Sequence, residues 1–295
     1  MKLRLLFVPT SLALLTAAAF AQLPPLGEPS KSPAPPPPPG SVNLDAINAD
    51  LKAAIAANQE KRYADAETLM LKDTAAKPDL VLPWVQLGTA QLGLKKYNDA
   101  EFSFNNALGV DPATRKDHAV GAFYQSDAKP GAVAPTATRA SSVAASETVV
   151  TKQNRTPEVL GAALSGLGEV YIRTSRVPQA QQSFDDAVKA NPAQAAFYLR
   201  NEAILFLQTG HSAEQVDAAG KAIALDPKRA DLYFFKGQGL AAQATIDPKT
   251  QKLVLPAGCP EALQKYLDLD PTGQYANDDK SLLAAAGVAA KTGKK

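Results

Sequence analysis

Pro78 and Pro112 stand 34 residues apart, Pro192 and Pro227 stand 35 apart, and each follows an amphipathic run. No other feature constrains the fold as tightly. Proline has no N–H and stops a helix, so a proline recurring at a fixed interval marks the end of a repeated unit. An interval of about 34 residues holds two short helices and the turns that join them. Such a unit cannot bury its apolar face alone, so copies must stack, and stacking leaves an extended groove in place of a closed pocket. A chain of this kind suits holding another polypeptide better than doing chemistry.

The clearest unit begins at Val81. Counting that residue as position 1, Trp84, Leu87 and Gly88 fall at 4, 7 and 8, Tyr97 and Ala100 at 17 and 20, and Phe104, Ala107 and Pro112 at 24, 27 and 32. A second unit begins at Gly161, with Leu164, Leu167, Gly168 and Tyr171 at 4, 7, 8 and 11, then Ala180, Phe184, Ala187 and Pro192 at 20, 24, 27 and 32. Small residues at 8, 20 and 27 let two helices approach closely, and large ones at 4 and 24 fill the space beside them. This pattern closely resembles the tetratricopeptide repeat family, over roughly residues 43 to 290 apart from two insertions. The resemblance implies an all-α, right-handed superhelix of about five helix–turn–helix repeats with a C-terminal closing helix.

Three units fit more loosely. In the first, Tyr63, Ala66 and Pro78 are in place, but Met70 and Asp73 stand where an aromatic and an alanine are usual. In the fourth, Ala203, Phe206, Ala222 and Pro227 fit, while Gln215 replaces the small residue at 20 and puts the packing of that hairpin in question. The last has Tyr233, Gly237 and Leu240, then an insertion, then Ala262 and Tyr266. Its Pro271 comes early, which predicts a second helix about a turn short. Beyond it, Tyr275 to Ala290 carries Leu282 and Leu283 among polar residues, as a helix covering the end of a stack requires.

Two segments break the rhythm. Residues 113 to 157 are rich in Ala, Ser, Thr and Pro; Thr114 to Tyr124 has helical character, and Lys129 to Thr156 reads as a mobile loop. Residues 244 to 256 place short β-prone ends around Asp247-Pro248-Lys249-Thr250, which fits either a small β-hairpin or a loop.

The amino terminus reads as a secretory signal over residues 1–21: Lys2 and Arg4, an apolar run from Leu5 to Phe20, and Ala19-Phe20-Ala21 as a cleavage site. Pro9 and the short run argue against a stable membrane span, an uncleaved anchor being the other reading. Residues 22–42 hold Pro33 and Pro35 to Pro39, a stiff spacer by composition or a ligand for a proline-binding module. Repeats are expected over 43–112 and 158–290, followed by a basic tail at 291–295. Loss of the leader leaves 29 basic residues against 29 acidic ones, so the mature chain lacks the basic footprint of a nucleic-acid binder. Export places the protein on the periplasmic or extracellular side of a bacterium.

Little in the chain suggests catalysis. His118 and His211 are the only histidines and Cys259 the only cysteine, so no metal-ligand spacing and no internal disulfide is possible. Cys259 reads as a half-buried side chain at a helix start. Asp185-Asp186 and Asp278-Asp279 are adjacent pairs, and neighbours on a helix point about 100° apart, so they read as solvated surface. No catalytic residue, metal site or cofactor is expected. In the family resembled, the first helix of each repeat lines a concave face, and positions 2, 5, 6, 9 and 12 contact ligand. Carried over by position, the groove candidates are Val85, Thr89, Ser165, Glu169, Arg200, Asn201, Ile204, Phe234 and Gln238. Asn201 suits an extended peptide backbone, because an amide both donates and accepts. Arg200 suits an acidic group of the ligand. The expected function is an exported, non-enzymatic scaffold for a protein or peptide in an envelope complex. The alternative is a structural or cell-wall component, with exposed aromatics such as Phe234 stacking on sugars.

Overall fold

The structure, a computed structural model, describes residues 43–109 and 155–290. The leader, the proline-rich segment, nearly all of the 113–157 insertion including His118, and the basic tail lie outside the described residues.

Ten helices pair in chain order into five hairpins. These are α1 (Leu44–Gln59) with α2 (Tyr63–Ala76), α3 (Val81–Gly93) with α4 (Tyr97–Leu108), and α5 (Pro157–Arg173) with α6 (Val177–Ala190). They continue with α7 (Ala195–Thr209) and α8 (Ser212–Leu225), then α9 (Ala230–Ala241) and α10 (Cys259–Leu269), and α11 (Ala276–Ala285) closes the stack. The first helix of each hairpin also touches the first helix of the next, as stacked repeats require. This is an all-α solenoid of stacked helical hairpins.

Two local rules build it. The first is a turn: position 15 of the first four repeats is Lys61, Lys95, Ser175 or Gly210, and all four have φ between +59° and +78°. In each, the next residue donates its N–H back to a carbonyl five residues earlier, as Lys96 N does to Gln91 O at 2.8 Å and Arg176 N to Tyr171 O at 2.7 Å. In the fifth repeat that place opens into the inserted hairpin, β1 (Thr245–Ile246) against β2 (Leu253–Val254), antiparallel with Ile246 opposite Leu253. Asp247 holds its turn, accepting from the N–H groups of Lys249 and Thr250 at 2.7 and 3.1 Å.

The second rule is a close approach at position 8. A β-carbon added to Gly88 would lie 2.8 Å from the Phe104 ring, and one added to Gly168 would lie 2.5 Å from the ring of Phe184. Glycine at 8 thus seats the aromatic at 24. The interior is divided into three consecutive apolar clusters along the stack, the largest running from Val81 to Phe206.

The looser repeats are packed by substitution. Met70 is fully buried in the aromatic's place. Gln215 is buried between helices and donates its amide to Phe235 O at 2.6 Å, with Gly239 leaving room opposite. As the early Pro271 predicts, α10 has 11 residues against 14 in α6 and α8. Thr156 caps α5 and Pro157 begins it, so the repeats resume one residue earlier than expected.

Three sequence expectations are corrected. Cys259 stands at a helix start but is fully buried, not half-buried. The adjacent aspartates are not solvated pairs. Asp185 is half-exposed and Asp278 exposed, while Asp186 and Asp279 have no exposed surface at all, because the 100° step between neighbours turns one of each pair inward. Asp186 accepts from Lys189 Nζ and Gln182 Nε2, both at 3.0 Å.

Candidate functional site

Helices α3, α5 and α7, lying side by side, form the floor of a groove of about 440 Å³. Six of the nine sequence candidates meet there: Val85 and Thr89 from α3, Ser165 and Glu169 from α5, Asn201 and Ile204 from α7. Val85 and Ile204 are buried and serve as apolar floor. The Thr89 hydroxyl donates to the Val85 carbonyl at 2.9 Å and turns its lone pairs outward. Asn201 is half-exposed in the lining.

The other three candidates are elsewhere, for a tertiary reason. Arg200 is 8% exposed and committed to Asp231 of α9, with nitrogen–oxygen distances of 2.7 and 2.6 Å, and it lies 5.7 Å over the Phe235 ring. It braces two repeats and does not face the groove. Phe234 is buried and stacked on Tyr275, with ring centroids 3.7 Å apart and planes 5° from parallel. It is therefore not the exposed sugar platform that its position suggested. Gln238, one turn further along α9, is also outside the groove. The segment after Pro271 brings Tyr275 back onto α9 and ends the groove at α7.

Several lining residues are not among the sequence candidates. Arg173 and Gln208 stand at position 13, one helical turn beyond the ligand position 9, a step that helical periodicity could have extended. Arg173 donates to Glu169 Oε1 at 3.3 Å and to Gln208 Oε1 at 2.7 Å, so three side chains bridge α5 to α7. Phe197, at position 2, and Tyr63 and Tyr97, the first residues of α2 and α4, supply aromatic walls. Gly166 is the least expected. A β-carbon there would collide with the Phe104 ring, so glycine alone leaves that ring as part of the floor.

The groove is mixed in charge, with Glu169, Arg173 and Lys95 at its polar end. Burial pushes the Glu169 carboxyl upward, and the neighbouring Arg173 pulls it partly back. Among the described residues, Glu169 is the single carboxylate in the lining, and neither histidine nor cysteine lines it. Among the described residues no group of three His, Cys, Asp or Glu is placed to hold a metal ion, and no helix is long and apolar enough to cross a membrane. What the surface offers is an apolar floor flanked by amides, hydroxyls and one ion pair.

Residues 83–114 match the family model described as tetratricopeptide repeat. Similar solved structures include YrrB, a TPR protein described as having an unusual peptide-binding site, at 14% identity and TM-score 0.45, covering 82% of this chain and 99% of that one. MamA is similar at 14% identity and TM-score 0.44, covering 84% and 98%. The C-terminal part of a TPR repeat-containing protein from Cytophaga hutchinsonii is similar at 14% identity and TM-score 0.32, covering 80% and 84%. No curated protein matches the sequence.

Proposed function

We propose that this chain, a tetratricopeptide-repeat protein, is a non-enzymatic scaffold that binds an extended segment of a partner protein in the groove across α3, α5 and α7. The observation that carries this is the groove's composition: an apolar floor opened by Gly166, beside the half-exposed amide of Asn201. An extended peptide presents alternating side chains and backbone groups, which match an apolar floor and an amide respectively. The signal-like residues 1–21 support a site of action outside the cytoplasm, in a bacterial envelope complex, with the proline-rich residues 22–42 as spacer.

A photo-crosslinking residue placed at 201 in the native cell tests the reading, with the exposed Leu71 on the opposite kind of surface as control. A partner captured from 201 and not from 71 supports it, whereas equal capture at both positions refutes groove recognition. With the captured segment in hand, Asn201→Ala should weaken binding about three- to tenfold, the worth of about one hydrogen bond, and leave thermal unfolding unchanged. Arg200→Ala should do the reverse, lowering stability while the affinity of the folded protein holds, because its guanidinium serves Asp231.

A further inference from the structure

The closing helix carries a group that packing alone does not explain. Asp279 of α11 has no exposed surface, and neither of its carboxyl oxygens meets a hydrogen-bond donor among the described residues. The titratable groups facing it are Cys259 and Tyr266 of α10 and, on its own helix, Asp278; Glu261 acts on the same thiol. None of these is a cation. Lys280 turns its ammonium away and donates to Pro271 O at 3.2 Å. From α9 the neighbouring polar group is the Gly237 carbonyl, which accepts the Cys259 thiol hydrogen at 3.4 Å.

A charged carboxylate is disfavoured in such a place, since nothing replaces the water it loses. Burial first, and the Asp278 charge second, push the Asp279 carboxyl up to about 8. The helix N-terminus favours an anion in its first turn, but Asp279 takes none of the free N–H groups, so that help is weak.

We propose that α11 is a proton-locked cap, closed on α10 while Asp279 is a neutral acid and released when that carboxyl ionises. The geometry permits release without loss of a repeat, because α11 follows the last hairpin and packs chiefly on α10 at the end of the stack. Tyr275 precedes α11 directly, so release also frees the ring stacked on Phe234 and bares the corresponding face of α9. The lock is independent of what the groove binds.

Cys259, the one cysteine of the chain and fully buried beneath α11, reports the opening. The full-length protein is treated with a neutral dipyridyl disulfide under native conditions between pH 5 and 8. Thiolate formation alone raises the reaction rate about tenfold per pH unit. Over the range between an ordinary carboxyl value of about 4 and the raised one, loss of the Asp279 proton on opening adds up to about another tenfold per unit. The wild-type rate should therefore climb by up to about a hundredfold per unit, and that of Asp279→Asn by about tenfold. Equal slopes in the two proteins overturn the proposal. Hydrogen exchange of the wild type alone gives a second test that survives a misfolded variant. After correction for intrinsic exchange, residues 276–285 should lose protection with rising pH faster than α5 does. Protection in α11 that tracks α5 across the range refutes the lock.

Discussion

At the scale of single residues, the departures from the repeat pattern mark where energy is stored. Glu202 occupies position 7, where the two clear repeats have leucine, and it is 2% exposed with Oε2 unbonded among the described residues. Burial pushes its carboxyl up to about 8, against the opposing pull of Lys221. Asp73, at the alanine position 27 of the first repeat, is pushed up to about 6 for the same reason, with Asp50 adding to it. The sign follows directly. Each group is neutral in the fold and ionises near 4 when unfolded, so above that pH the unfolded chain sheds the proton first. Stability falls as pH rises, through about 6 for Asp73 and about 8 for Glu202, and the loss is complete above those values. Glu202→Leu should raise stability at pH 7 by about 1–3 kcal/mol, the cost of a buried polar group left without a hydrogen bond. It should also flatten the fall of melting temperature between pH 5 and 8. A melting curve as steep in pH as that of the wild type would show that Glu202 finds a donor in solution.

At the scale of the helical hairpin, two glycines separate packing from backbone conformation. Gly168 is limited by space, since a β-carbon would lie 2.5 Å from Phe184. Gly210 is limited by φ, which is +78°, and an added β-carbon would meet nothing within 4 Å. Gly168→Ala should cost about 1–3 kcal/mol through overpacking, and Gly168→Trp should loosen the hairpin of α5 and α6 outright. Gly210→Ala should cost about 1 kcal/mol through left-handed backbone alone, with the packing of α7 on α8 unchanged. Denaturant unfolding orders the three, and a Gly168→Ala protein as stable as the wild type would disprove the register built on Val81 and Gly161. Lys61, Lys95 and Ser175 pay the left-handed cost already, which shows that the hydrogen-bonded turn outweighs it.

At the scale of the molecule, the stack is continuous across residues 110–154. Helices α4 and α5 pack as successive repeats do, and Arg155 donates to Ala107 O at 2.8 Å, tying the resumed chain to the end of α4. Excising residues 113–153 in favour of a short flexible linker should therefore leave the melting temperature within about 2–4 °C, a change worth no more than about 1 kcal/mol for a chain of this size. A collapse of stability would mean that the excursion packs on the repeats. Much of this architecture was legible in the sequence, for a physical reason. Proline stops, a glycine facing an aromatic at 8 and 24, and small residues at 20 and 27 are local requirements of one hairpin, and the repeats begun at Val81 and Gly161 state them in full. Thr89, Ser165, Glu169 and Asn201, carried over by position from the family resembled, lie together along α3, α5 and α7. Periodicity cannot say what a later segment covers. That Tyr275 returns to stack on Phe234, that Asp231 takes Arg200, and that Asp279 turns inward while Asp278 stays in water depend on contacts between elements. Those contacts are set by how the stack ends, and they were decided by the tertiary structure alone.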